Sequence, residues 1–349
     1  MKSLKQLLII IFAVIGTATL TAQDIHFSQF NSSPLNLNPA LTGVMNCNIR
    51  LVGNYRNQWA SVLKANAFST YSVSYDQRIP VGRNDYFGVG GTFWGDKAGE
   101  SNFATLQGRL SFSYSKKMSG GRKSGNYLVV GADAGASQRS IDFLALRYGS
   151  QHDGNGGFNG DLPSNENFDR DNFLFADVSA GLLWFSVFDE SNNFHVGAAF
   201  SHLNRANQSF DSNETEDLYS KFTIHAGGEF LVAEKIGLVP GIVTFFQGPS
   251  FQFNAGTSLK FLLGKSKSLH QAFQIGAWFR VSNHFRESIT SDALILSTRF
   301  DYEQFSIGFS YDVNVSSLRP ASNSNGAFEF SLIYKICGPE VRNVYCPNF

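Results

Sequence analysis

From about residue 49 onward, apolar side chains alternate with polar side chains or glycine in runs of about ten residues. In the run 103–115, Leu106 and Phe112 lie on one face, whereas Gln107 and Arg109 lie on the other. A period of two residues is that of a β-strand, because successive side chains point to opposite faces. Each run therefore predicts a strand with one apolar and one polar face.

Turn residues divide the chain into about fourteen such runs. They span 49–60, 68–78, 85–94, 102–115, 126–139, 173–186, 193–203, 218–232, 236–247, 251–263, 271–281, 289–300, 304–313 and 326–337. Strands of about 9–11 residues cross a membrane, and a sheet in lipid must close because a free edge leaves backbone groups unsatisfied. The pattern predicts an all-β protein, a transmembrane antiparallel up-and-down β-barrel of about 14 strands. Aromatic residues at the strand ends favour this barrel over a soluble β-sandwich.

Composition supports an apolar outer surface. The chain holds 34 Phe and 33 Gly among 349 residues, and only 16% of its residues are charged, against roughly 25% in soluble domains. Its 28 basic and 28 acidic side chains balance, so bulk charge draws it neither to nucleic acid nor to an anionic surface.

The first 22 residues have the pattern of a cleavable secretory signal peptide. Lys2 and Lys5 precede an apolar run at 7–15 that is too short to span a membrane as a helix. Cleavage after Ala18 fits the small-residue rule, but cleavage after Ala22 is preferred because the polar segment begins there. The predicted organisation is a signal peptide at 1–22, an N-terminal segment at 23–48, a barrel at 49–337 and a C-terminal tail at 338–349.

Three irregular segments interrupt the strand pattern. The segment 23–48 lacks alternation and contains Pro34 and Pro39, so we expect it either to lie in the periplasm or to plug the barrel. The connections 140–172 and 204–217 are too long for tight turns and are predicted to be extracellular loops.

No catalytic, metal or cofactor site is predicted. His195, Ser201 and His202 do not form a nucleophile–base pair, since Ser201 and His202 point to opposite faces and His195 lies about 20 Å away along the strand. The stretch 153–164 resembles a calcium loop but lacks its turn glycine and final Glu. Charges on the polar faces have both signs, which favours a filled lumen over an ion-selective pore.

The three cysteines suggest one disulfide. In an oxidising compartment, Cys337 and Cys346 form a plausible local pair because only eight residues separate them. Cys47 competes as a partner, because sequence alone does not fix connectivity.

Several motifs resemble those of one family. They are QDIHFSQF at 23–30, PLNLNPALTG at 34–43, NYRNQW at 54–59, YSVSYD at 71–76, SHLNRANQSF at 201–210, GAWFR at 276–280, SYDV at 310–313 and the closing Cys346, Pro347 and Phe349. The mature chain resembles the PorP/SprF family of type IX secretion system membrane proteins over nearly all of its length. The strand before the tail is predicted to end near Cys337, so Phe349 does not occupy the strand-end position that many barrels use for assembly.

The resemblance implies a non-enzymatic outer-membrane component of the type IX secretion and gliding apparatus of a Bacteroidetes-like bacterium. It implies two protein partners: a secreted adhesin with a type IX C-terminal domain, and periplasmic secretion components that the N-terminal segment would contact. Candidate partner-binding residues are Phe27, Gln29, Phe30, Asn38, Pro39, Tyr55, Arg56, Gln58 and Trp59. Tyr55, Arg56, Gln58 and Trp59 could instead pack the barrel interior and its interface. Asn38, Pro39 and Gly43 could instead form a turn that seats the segment. The rival hypothesis is a general diffusion porin or a small-solute transporter.

Overall fold

The structure is a computed structural model. It describes residues 24–349 except 83, 122–123, 153–156, 165, 167, 190, 264–270, 284–288, 339–345 and 348–349. The predicted signal peptide lies outside the described residues. Within them, the longest helical elements are single turns, and none is long and apolar enough to cross a membrane.

Fourteen strands form one closed antiparallel barrel in which each strand pairs with its neighbours in sequence and β1 pairs with β14. The strands are β1 Ile49–Gln58, β2 Phe68–Val81, β3 Asp85–Ala98, β4 Phe103–Ser119, β5 Gly125–Ser140, β6 Asn172–Val187, β7 Asn193–Ser201, β8 Lys221–Ala233, β9 Ile236–Gln247, β10 Ser250–Leu262, β11 Gln271–Asn283, β12 Ile289–Tyr302, β13 Phe305–Asn314 and β14 Asn325–Ile336. The predicted fold and strand count are confirmed.

The alternation of faces is also as predicted. In β4, Leu110 and Phe112 are 64% and 60% exposed, whereas Gln107 and Ser111 are 3% and 1% exposed. The exposed face is apolar because it meets lipid, and the polar face points into the lumen. Phe–Phe and Phe–Tyr pairs line the outer surface, including Phe87 with Tyr114 and Phe305 with Tyr334.

Because the number of strands is even, the first strand starts and the last strand ends at the same end of the barrel. One end, the base, carries the start of β1 and the end of β14. The opposite end, the loop end, carries the longest connections, those between β5 and β6 and between β7 and β8. Bacterial barrels have short periplasmic turns and longer extracellular loops, so the base corresponds to the periplasmic side.

Residues 24–48, here called the plug, fill the lumen. Helical turns at Phe30–Ser32, Pro34–Leu37 and Pro39–Leu41 fold the plug into a compact core. Ala40, Leu41 and Val44 are fully buried and pack against side chains from the barrel wall. Of the two expectations for this segment, the structure selects the plug and not a periplasmic extension.

Candidate functional site

The plug runs the length of the lumen from the loop end to the base. At its start, the Asp24 backbone N–H donates to Oε1 of Gln247, at the loop end of β9, over 2.9 Å. The Asp24 carboxylate pairs with Lys221, the first residue of β8, over 3.2 Å. Cys47, at the other end of the plug, adjoins the start of β1 at the base. Between these two ends, contacts at Ser28, at Asn38 and at the Arg50–Asp76 pair hold the segment along this path.

A charged cluster at the loop end of the lumen surrounds Ser28. The Ser28 hydroxyl donates to Oδ2 of Asp312 over 2.9 Å and accepts from Arg56 over 2.7 Å and from Arg280 over 2.9 Å. The Ser28 backbone N–H donates to Oε1 of Glu329 over 2.6 Å, and Arg56 forms an ion pair with the same carboxylate. Plug and wall are thus joined by hydrogen bonds to ionised groups, which are stronger than those between neutral groups.

Asn38 anchors the middle of the plug. Its side-chain amide donates to the carbonyls of Leu182 and Ala198 over 3.1 and 3.2 Å and lies 3.0 Å from Nε2 of His225. Its carbonyl oxygen accepts from the Ala40 N–H over 2.9 Å and caps the turn that begins at Pro39. Asn38 is fully buried, so these contacts satisfy polar atoms that would otherwise be costly to remove from water.

A buried ion pair holds the plug near the base. Arg50 and Asp76 are both fully buried and form two hydrogen bonds with each other, of 3.0 and 2.8 Å. Arg50 also donates to the Leu41 carbonyl, and Asp76 accepts from the Gly43 N–H over 2.7 Å. The pair forms these hydrogen bonds with backbone groups of the plug. It therefore fixes the path of the main chain.

The barrel wall leaves room for the plug at a row of glycines. A Cβ atom added at any of them would contact the plug at Gln29, Phe30, Leu35, Asn38, Ala40 or Thr42. The glycines are Gly88, Gly90, Gly131, Gly181, Gly197, Gly241 and Gly308, and they come from six strands. Because glycines on six different strands face one segment, the wall is shaped to the plug.

We expect Gly131→Val to displace the plug. A Cβ at Gly131 would lie 2.6 Å from Cα of Ala40, and neither backbone can yield without moving the segment. The expected loss is about 1–3 kcal/mol in the free energy of unfolding, measured by urea unfolding of the purified barrel in detergent. The control is Gly53→Val in β1, where a Cβ meets nothing within 4 Å. Equal stability of the two variants would contradict the fit of wall to plug.

The disulfide differs from the expected one. Cys337 pairs with Cys47, and the buried thiol of Cys346 is free. Closure of the barrel opposes Ile49 to Ile336 and brings the Cα atoms of Cys47 and Cys337 to 4.2 Å, although the two cysteines are 290 positions apart in the sequence. The bond therefore ties the end of the plug to the end of β14. The prediction of a Cys337–Cys346 pair is wrong because it weighed sequence distance and not the closing seam.

Charged side chains surround Asp24 at the loop end of the lumen. His202 is buried between Asp177, at 2.8 Å, and Asp24, at 3.5 Å. Burial would lower the pKa of His202, but its interactions with Asp177 and Asp24 raise the pKa to about 9. Burial would likewise raise the pKa of Asp24, but Lys221 and His202 hold it well below its usual range. At neutral pH, His202 and Asp24 therefore carry opposite charges and attract each other.

The candidate partner-binding residues separate into three groups. Phe27, Phe30, Asn38 and Pro39 are buried in the lumen, where Gln29 is partly buried and donates to Glu329. Arg56 faces the lumen, and Gln58 accepts a hydrogen bond from it over 3.1 Å.

The remaining two candidates lie elsewhere. Tyr55 points outward beside Phe328, and Trp59 stands at the loop end beside Phe68. The structure thus brings seven of the nine candidates together in or on the lumen and leaves Tyr55 and Trp59 apart. A direct contact between any of the nine and a partner protein stays a prediction.

Sequence reasoning missed the wall residues that hold the plug. Neither Arg50 nor the carboxylates of Asp76, Asp312 and Glu329 were among the candidates. Asp76 and Asp312 each follow Ser-Tyr, in YSVSYD and SYDV, and this repeated motif was the available signal. For the rejected calcium loop, Asp153 and Asn155 lie outside the described residues.

Comparison with known proteins identifies one matching family and several similar folds. The model of the family described as type IX secretion system membrane protein PorP/SprF matches residues 19–334. No curated protein sequence is significantly similar to this one. Among solved structures, the toluene transporter TbuX of Ralstonia pickettii is similar at 12% identity, with 91% of this chain and 96% of that chain covered and a TM-score of 0.44.

Two further structures show a comparable level of similarity. For the toluene transporter TodX of Pseudomonas putida the identity is 8%, with 93% and 96% of the two chains covered and a TM-score of 0.46. For the CymD monoaromatic hydrocarbon channel the identity is 11%, with 88% and 93% covered and a TM-score of 0.47. At these identities the likeness concerns the barrel fold alone.

Proposed function

We propose that this chain, which belongs to the PorP/SprF family of type IX secretion system membrane proteins, is a non-enzymatic platform in the outer membrane that helps export or anchor a secreted adhesin. Its place as a type IX secretion component in the outer membrane follows from the family and the barrel. The role of the platform toward an adhesin, through that protein's C-terminal domain, is the proposal.

The observation that supports a platform is the plug. The segment is bound to the wall through two clusters of buried charges and is tied to β14 by a disulfide. A diffusion porin needs an open aqueous path, and the rival hypothesis of a small-solute transporter needs a route past residues 24–48. A filled lumen leaves the loops at one end and the turns at the other as the surfaces that partners can reach.

The experiment is a pull-down of the tagged barrel from detergent-solubilised outer membranes, with mass spectrometry of the proteins that accompany it. We expect a large secreted protein with a type IX C-terminal domain, together with periplasmic secretion components. Replacing residues 204–217 by a short Gly/Ser turn should lower recovery of the secreted protein roughly ten-fold, which corresponds to about 1.4 kcal/mol of binding. Recovery of the periplasmic components should not change.

A matched change at the base serves as the control. The turn after Asp189 joins β6 to β7 at the periplasmic end, and its replacement should leave recovery of the secreted protein unchanged. If the wild-type barrel is recovered without a secreted protein and conducts ions in planar bilayers, the result would instead favour the hypothesis of a diffusion porin.

A further inference from the structure

We infer that the beginning of the plug, at Asp24, lies at the extracellular mouth of the barrel, so that this part of the plug is accessible from outside the cell and not from the periplasm. The inference uses the path of the plug and the outer-membrane location. It does not depend on the proposed role toward an adhesin.

The first step is the position of Asp24. Its contacts are with Lys221, Gln247 and His202, which stand where β8 begins, where β9 ends and just after β7 ends. All three positions adjoin connections from an odd-numbered to an even-numbered strand. Those connections share one end of the barrel, the end that carries the loops 141–171 and 202–220.

The second step is the direction of the chain. Ser28 lies beside Arg56 and Asp312, each of which is two positions from the loop end of its strand. Gly43 lies beside Asp76, close to the base end of β2, and Cys47 joins Cys337 at the base itself. The plug therefore begins at the loop end and ends at the periplasmic base.

The third step is the consequence for access. A periplasmic protein that approached the base would meet the Cys47 end of the plug and the tail at Cys346, whose N–H donates to Asn46. It could not reach residues 24–30 without passing the buried Arg50–Asp76 pair. A partner that binds the beginning of the plug must therefore come from the extracellular side, as an exported protein would.

The test is an epitope with a specific protease site, followed by a Gly/Ser linker of about 15 residues, inserted directly before Asp24. Such a linker spans roughly 20 Å, enough to carry the epitope clear of the mouth. Adding the protease to intact cells should cleave the site before Asp24 as completely as the same site inserted after Asn213 in the β7–β8 loop, as judged by the sizes of the fragments that carry the epitope. An identical insertion after Asp189 should be cleaved only in permeabilised cells.

The opposite outcome is equally clear. If the epitope before Asp24 is released only after permeabilisation, the inference is wrong, whatever the pull-down shows. Should the insertion disturb assembly, Asp24→Cys in a Cys346→Ser background gives a smaller probe. A membrane-impermeant maleimide should label that cysteine on intact cells but label Ser191→Cys only in permeabilised cells, and the reverse pattern would overturn the inference.

Discussion

Deleting residues 24–43 should convert an insulating barrel into a pore. The width of a barrel grows about in proportion to its strand number, and about eight strands give an interior that side chains alone can fill. Fourteen strands enclose more space than that, and here the plug occupies it. Once the plug is removed, the glycines on the wall would make the open lumen wider, because they have no side chains to fill it.

The measurement is conductance in planar bilayers, where we expect the deletion variant to conduct at least about ten times more than the full chain, at the scale of open barrels. Retaining residues 44–48 keeps Cys47 and its bond to Cys337. Heat-modifiable migration in electrophoresis checks that the variant is a folded barrel. A synthetic peptide of residues 24–43 should then block the current, whereas a peptide with Asn38→Leu should block it poorly.

A folded deletion variant that does not conduct would contradict this account of the lumen. It would mean that wall side chains such as Arg109 and Lys221 collapse across the space. Conductance by the unmodified chain, equal to that of the variant, would show that the plug does not seal the barrel.

The strands were predictable from sequence because their signal is local. A period of two residues is visible in any ten-residue window, and turn residues mark the ends, so the predicted runs match the fourteen strands closely. The loop between β5 and β6 was equally clear, since a long polar segment without alternation has no place in lipid.

The path of the plug was not predictable because its contacts are distant in sequence. Asn38 meets His225 across 187 positions, and Ser28 meets Glu329 across 301. The segment has no period of its own, and Pro34 and Pro39 say only that it is neither a long helix nor a strand. Its position is determined by glycines and carboxylates of the barrel wall. Within its own strand, none of these residues is unusual.

Motif resemblance located important residues without revealing their roles. Arg56 belongs to the motif NYRNQW and was proposed as a partner contact, yet its guanidinium is buried between Glu329 and Asp312. Its neighbour Tyr55 faces lipid, because adjacent residues of a strand point to opposite sides. The same motif thus holds one residue for the plug and one for the membrane.

Arg56→Met should lower the free energy of unfolding by about 3–5 kcal/mol, the cost typical of removing one partner from a buried ion pair. Arg56 is 2% exposed and contacts two carboxylates and the Ser28 hydroxyl, so its loss leaves Glu329 buried without its ion pair. The measurement is urea unfolding in detergent micelles, followed by tryptophan fluorescence. Arg319→Met, at an exposed position in the loop before β14, should change stability by no more than about 0.5 kcal/mol.

A second substitution separates charge from packing. Glu329→Gln in the Arg56→Met background removes the unpaired carboxylate. Its amide oxygen can still accept from one of the Ser28 and Gln29 N–H groups, which bond to different oxygens of the carboxylate. The double variant should therefore be more stable than the sum of the single losses predicts, by about 1 kcal/mol or more. Strict additivity would mean that Arg56 acts through its packing alone, and that the carboxylate which holds Ser28 does not depend on it.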